Sequence, residues 1–97
     1  MRYDKESDGI FLIRETGDII KYVGEALTDP HKGEYDSEYV VLIPGRFRKG
    51  DRVCYYEFYE RRANKETTYY NLVKLPTDIN LDNINPNTLK VLYGQKN

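Results

Sequence analysis

Tryptophan is missing from this 97-residue chain, and cysteine, methionine and histidine occur once each. The lone cysteine, Cys54, excludes an intrachain disulfide and a cysteine-based zinc site. It fits a reducing compartment, and a cytoplasmic location is expected. There is no run of about eighteen apolar residues and no N-terminal apolar segment of the export type. Neither a membrane span nor a signal peptide is therefore expected. No Gly-x-Ser-x-Gly stretch and no phosphate-cradling glycine-rich loop occurs, so serine hydrolase and P-loop chemistry have no signature here. Internal repeats and low-complexity tracts are lacking too.

What the chain has is tyrosine. Ten tyrosines and three phenylalanines supply its aromatic groups. Tyrosine has an apolar body and a polar tip, which suits half-buried strands and contact surfaces. The length implies one domain, residues 1–97, with a core that needs no staples. The charged start is expected to be frayed over residues 1–7. Net charge is −1 but unevenly spread. Residues 1–43 carry five Lys/Arg against ten Asp/Glu, and residues 44–65 carry seven against three. A basic middle in an acidic chain can meet a polyanion.

The stretch Asp8–Gly24 organises the chain. Two apolar runs, Ile10–Ile13 and Ile19–Val23, are joined by Glu15-Thr16-Gly17-Asp18, a β-hairpin signal. Next, the stretch with Pro30 and Gly33 reads as a turn or at most one helical turn, with Thr28 or Asp29 as a cap. Tyr39–Ile43 is strand-like and closed by Pro44-Gly45. Arg52–Arg61 alternates as a strand, with Cys54, Tyr56 and Phe58 on one face and Val53, Tyr55, Glu57 and Tyr59 on the other. Ala63–Leu75 supports two readings. As a strand from Thr67 it places Thr67, Tyr69, Asn71, Val73 and Leu75 on one face, with RANKE as a hairpin loop. As a helix from Ala63 it lines up Glu66, Tyr69, Tyr70 and Val73. Propensity favours the strand. Asn85-Pro86 is expected to turn. Thr88–Tyr93 is expected to form a last strand or short helix.

Gly9-Ile10-Phe11, ten residues, then Tyr22-Val23-Gly24 resembles the opening signature of the GIY-YIG nuclease family, with Gly17 at the hairpin turn. The likeness extends more loosely to residue 80. Gly24-Glu25 and Thr28-Asp29-Pro30 are similar to the family's entry into its first helix. CYYEFYERRANKE resembles the third strand and the start of the helix that carries a metal-binding glutamate. Glu66, Pro76 and Asn80 are similar to the closing pattern. The fold this resemblance implies is α+β, dominated by a small antiparallel β-sheet built on the hairpin. The alternative is an all-β small barrel of five to six strands.

The resemblance also implies metal-assisted phosphodiester hydrolysis. Tyr22 would help activate water, Glu66 would hold Mg²⁺ or Mn²⁺, and Asn80 would close the site. Two departures imply weak or lost endonuclease activity. Phe11 replaces the first-motif tyrosine, and Lys32 stands near the expected arginine, whose fork it cannot reproduce. Arg46 and Arg48 are the nearest arginines downstream and would have to take that catalytic place. His31 reads as a surface residue and Cys54 as a small core residue.

A reading from another class uses the basic middle without chemistry. Arg46, Arg48, Lys49 and Arg52, with Arg61, Arg62 and Lys65, would neutralise phosphates, while Tyr55 and Tyr59, with Tyr69 or Tyr70, stack bases. Small barrels that bind single strands use this combination. The acidic first half also permits a protein partner, as in a phage-type inhibitor. The partners expected are thus nucleic acid or a protein, and no membrane.

Overall fold

The computed structural model describes residues 9–61, 63–76, 78–83 and 85. Its strands are β1 (Ile10–Ile13), β2 (Ile19–Asp29), β3 (Glu34–Ile43), β4 (Arg52–Cys54), β5 (Tyr59–Arg61), β6 (Thr67–Tyr69) and β7 (Leu72–Lys74). Five form one antiparallel sheet in the order β4-β3-β2-β1-β7, and β5 and β6 form a separate two-stranded sheet. Among the described residues no helix is long and apolar enough to cross a membrane.

The β1–β2 hairpin forms where the apolar runs place it. Phe11 pairs with Ile20 and Leu12 with Ile19. The Ile13 amide donates to the Asp18 carbonyl at 2.8 Å, and Gly17 closes the turn at φ +82°. A side chain there would crowd the backbone, so glycine is the residue the turn favours. β1 lies inside the sheet, between β2 and β7, and a buried layer covers each of its faces, which is why it is apolar at every position. Phe11 and Ile13 join Ile20, Tyr22, Tyr39, Val41, Val53, Phe58 and Tyr70 in an aromatic layer. Leu12 joins Ile19 and Leu75 in an aliphatic layer on the opposite face.

The β2–β3 pair carries three register shifts, between Ile19 and Ile20, between Tyr22 and Gly24, and between Leu27 and Asp29. The first inserts Leu42 on β3. Tyr39 and Val41 therefore face the aromatic layer, while Ile43 reaches the aliphatic one. The strands run further than expected, and only 30–33 turn. Asp29 does cap, but a turn rather than a helix. Its Oδ1 accepts from the amides of His31 at 3.0 Å and Lys32 at 3.3 Å.

Several expectations are corrected. Arg52–Arg61 is not one strand. It breaks at a 3-10 turn, Tyr55–Glu57, because carboxylates capture the amides a ladder would have used. Glu57 Oε2 accepts from the Cys54 amide at 2.8 Å, and Asp36 Oδ2 accepts from the Tyr56 amide at 2.8 Å. The bend lets Val53 and Phe58 enter the same buried cluster, which strict alternation forbids.

Ala63–Leu75 is not a helix. Tyr59 pairs with Tyr69, Glu60 with Thr68 and Arg61 with Thr67, so β5 and β6 form a hairpin. Nor is the second arm one strand. At Asn71 the chain leaves the small sheet for the large one. Glu15 holds that crossing: Asn71 donates its amide to Oε1 at 2.7 Å and its Nδ2 to Oε2 at 2.6 Å.

Among the described residues the sheet is not a closed barrel either. β4 and β7 are its two edges, each only three residues long. The helical part of the α+β expectation is represented, among the described residues, by two 3-10 turns, Tyr55–Glu57 and Leu81–Asn83. The expected turn at Pro86, the last element at Thr88–Tyr93 and the frayed start lie outside the described residues.

Candidate nucleic-acid interface

The β3–β4 loop is fixed from below by a buried acid. Asp18 is fully buried at the end of the first hairpin. Its Oδ1 accepts from the amides of Gly45 at 2.6 Å and Phe47 at 3.0 Å. Its Oδ2 accepts from the Arg46 amide at 2.8 Å and from the Thr16 hydroxyl. Three successive backbone donors converge on one carboxylate, which sets the direction in which the Arg46 and Phe47 side chains leave the loop. Gly45 is required by this approach: a Cβ there would lie 2.4 Å from the Thr16 carbonyl oxygen.

Arg46 then ties the loop to the small hairpin. Its Nη1 donates to the Tyr59 carbonyl at 2.6 Å and to the Tyr70 hydroxyl at 2.8 Å. The guanidinium lies 5.5 Å from the Phe47 ring centroid and 5.8 Å from that of Tyr70. Burial pushes the Tyr70 phenol up, and the Arg46 bond and charge pull the other way. Phe58 stacks edge-on to Phe47 at 5.9 Å and tilts against Tyr39 at 5.5 Å, which seats the hairpin on the aromatic layer.

The result is a groove of about 580 Å³ lined by Arg46, Phe47, Tyr56, Glu57, Tyr59 and Arg61. Tyr56 is 61% exposed and Tyr59 38%. Tyr69, 71% exposed, stands opposite Tyr59 with ring centroids 6.3 Å apart. Cationic groups and open aromatic faces are the two components that hold a single strand. Arg46, Tyr59 and Arg61 of the expected binding residues line this groove. Arg48 and Lys49 occupy the same exposed loop as Arg46, and Lys65 the exposed turn of the hairpin. Tyr55, 53% exposed, has its ring 6.1 Å from Phe58. Arg52 sits on β4 and pairs with Glu38 at 3.3 Å. Arg62 lies outside the described residues.

The residues expected to catalyse are placed differently. Tyr22 is buried on β2, its hydroxyl donating to Glu25 Oε2 at 2.8 Å, and Glu25 also accepts from the Ser37 hydroxyl at 3.1 Å. Beside it burial pushes the Tyr39 phenol up to about 12, against the Ser37 hydrogen bond. Glu66 is exposed in the β5–β6 turn, where its amide donates to Asn64 Oδ1 at 3.1 Å. A lone surface carboxylate is a poor cage for a hard cation. Among the described residues no three His, Cys, Asp or Glu side chains gather as a metal site. Asn80 is exposed and its Oδ1 accepts from the Asp82 amide at 3.0 Å.

Asp18, Phe47, Tyr56 and Glu57 were not legible as site residues. The one hint for Asp18 is an acid at a glycine turn, and nothing local marks the amides it would find 27 residues on. No protein-family model matches this chain, and no curated protein or solved structure matches it significantly.

Proposed function

We propose that the chain is a non-hydrolytic module that binds single-stranded nucleic acid in the groove between the β3–β4 loop and the β5–β6 hairpin. The observation that carries this reading is the joining of two basic segments around exposed rings by the Arg46 bonds to Tyr59 and Tyr70. Arg61 meets phosphate, and Tyr56, Tyr59 and Phe47 offer faces to bases. Arg46 keeps its charge while committed to the hairpin, so it contributes field and position together. Hydrolysis has no part in this reading. Phe11 lacks a hydroxyl, Tyr22 gives its own to Glu25, and Glu66 stands in a surface turn.

The test is fluorescence anisotropy with labelled oligothymidine and oligouridine across about 50 to 200 mM salt. Binding should weaken as salt rises. The double change Arg61→Ala with Arg62→Ala should lower affinity and flatten the plot of log K against log salt by about 0.7 for each phosphate no longer neutralised. Tyr56→Ala should cost about 1–3 kcal/mol at every salt concentration. A folded protein that binds neither strand, or variants that bind as the native chain does, would refute it.

A further inference from the structure

Glu57 is out of place in a groove that tracks phosphates. Its negative charge repels them, yet it lines the groove with Arg46 and Arg61. Only one of its oxygens is used: Oε2 accepts from the Cys54 amide and so caps the 3-10 turn. The other has no donor and no ion-pair partner among the described residues. Oε2 keeps a second lone pair beyond its bond to the Cys54 amide, so the anchored carboxylate can still accept through both oxygens, and set beside exposed rings it is suited to a base edge rather than a backbone.

We infer that the groove reads guanine, with the Glu57 carboxylate accepting from its Watson–Crick edge. The inference rests on the nucleic-acid reading above and names the base that reading leaves open. Guanine alone presents two adjacent donors there, N1–H and the N2 amino group. Adenine and cytosine each place an acceptor next to their donor, so a lone pair would face the carboxylate. Uracil and thymine flank one N–H with two carbonyls. Bases splayed from a single strand are recognised in this way, stacked on a ring and read along an edge. Here Tyr56, next to Glu57 in the chain, supplies an open ring face. The Glu57 charge also pushes the Tyr56 phenol up, in keeping with their closeness. Arg61, on the β5 side of the groove, balances the charge on the neighbouring phosphate.

The experiment compares three labelled RNA heptamers on the native chain: UUUGUUU, UUUAUUU and the first with inosine for guanine. Inosine keeps N1–H and lacks the amino group. Guanine should bind about tenfold or more tighter than adenine, with inosine between them. Glu57→Gln should erase the gap. Its carbonyl can still accept from the Cys54 amide, so the cap survives, while the open acceptor becomes a donor. A thermal melt of the variant checks the fold. Equal binding of the guanine and adenine heptamers would overturn the inference and leave the groove reading standing. So would a gap that persists in Glu57→Gln. If no heptamer binds, the groove reading fails and the guanine preference fails with it.

Discussion

Replacing Asp18 by alanine should cost this protein a large share of its stability. The carboxylate is fully buried and accepts from three backbone amides, those of Gly45, Arg46 and Phe47, and from the Thr16 hydroxyl. Alanine removes every acceptor and leaves the donors behind. Each buried donor without a partner costs about 1–3 kcal/mol. The exposed side of the loop can relax and recover part of that, so a net loss of about 4 kcal/mol is expected. A chain of this length has a total stability on the order of 5–15 kcal/mol. Asp18→Asn keeps one acceptor oxygen but turns an amide NH₂ toward two donors, so it should cost about 2–4 kcal/mol. Thr16→Val removes one donor to the carboxylate and the 3.2 Å acceptor of the Asp18 amide, and should cost about 1–2 kcal/mol. Urea unfolding followed by tyrosine fluorescence and circular dichroism measures all three. The order Ala, then Asn, then Val should hold with an unchanged denaturant slope. An Asp18→Ala variant within about 1 kcal/mol of the native chain would show that the loop is not held by this carboxylate.

Tyr39 gives a prediction in pH. Its phenol titrates near 12 in the fold and near 10 when unfolded, so the unfolded chain binds fewer protons between those values. Stability should be unaffected by this group below pH 10 and fall as pH rises toward 12. Tyr39→Phe should flatten that fall in alkaline urea titrations, and an unaltered profile would deny Tyr39 the role. Arg46→Lys should loosen the small hairpin, because an ammonium lacks the planar guanidinium that packs by the Phe47 and Tyr70 rings while its Nη1 bonds the Tyr59 carbonyl and the Tyr70 hydroxyl. Hydrogen exchange of the Tyr69 and Tyr70 amides should quicken with little change at Phe11 and Ile20. Equal protection throughout would show that Phe58 and Tyr70 packing alone seats the hairpin.

Much of the sheet was legible because its signals are local. The β1–β2 hairpin needs only two apolar runs and a glycine at the turn. The turn at 63–66 follows from β-rich segments on either side. The reading failed where a side chain finds a backbone far away. Alternation over Arg52–Arg61 reads correctly at Val53 and then misses the 3-10 turn, because Asp36, which takes the Tyr56 amide, is 20 residues earlier. The same holds at Asn71, where Glu15 turns the chain from one sheet to the other across 56 residues. In the groove, Arg46, Tyr59 and Arg61 were identifiable from charge and aromatic content. Phe47 joined them through the Asp18 carboxylate, and Tyr56 and Glu57 through the bend.

Composition and pattern by themselves determined that this chain is β-rich, that its tyrosines suit half-buried strands and contact surfaces, and that its cations concentrate in the middle. Those properties depend on residue type and on neighbours along the chain. Only the tertiary structure decided which face each residue takes, since the extra Leu42 sends Ile43 to the layer opposite Val41. It alone decided that Asp18 orders the loop and that Arg46 clasps the hairpin, which together create the groove. Strand register and the capture of a backbone amide depend on partners that sequence order does not reveal.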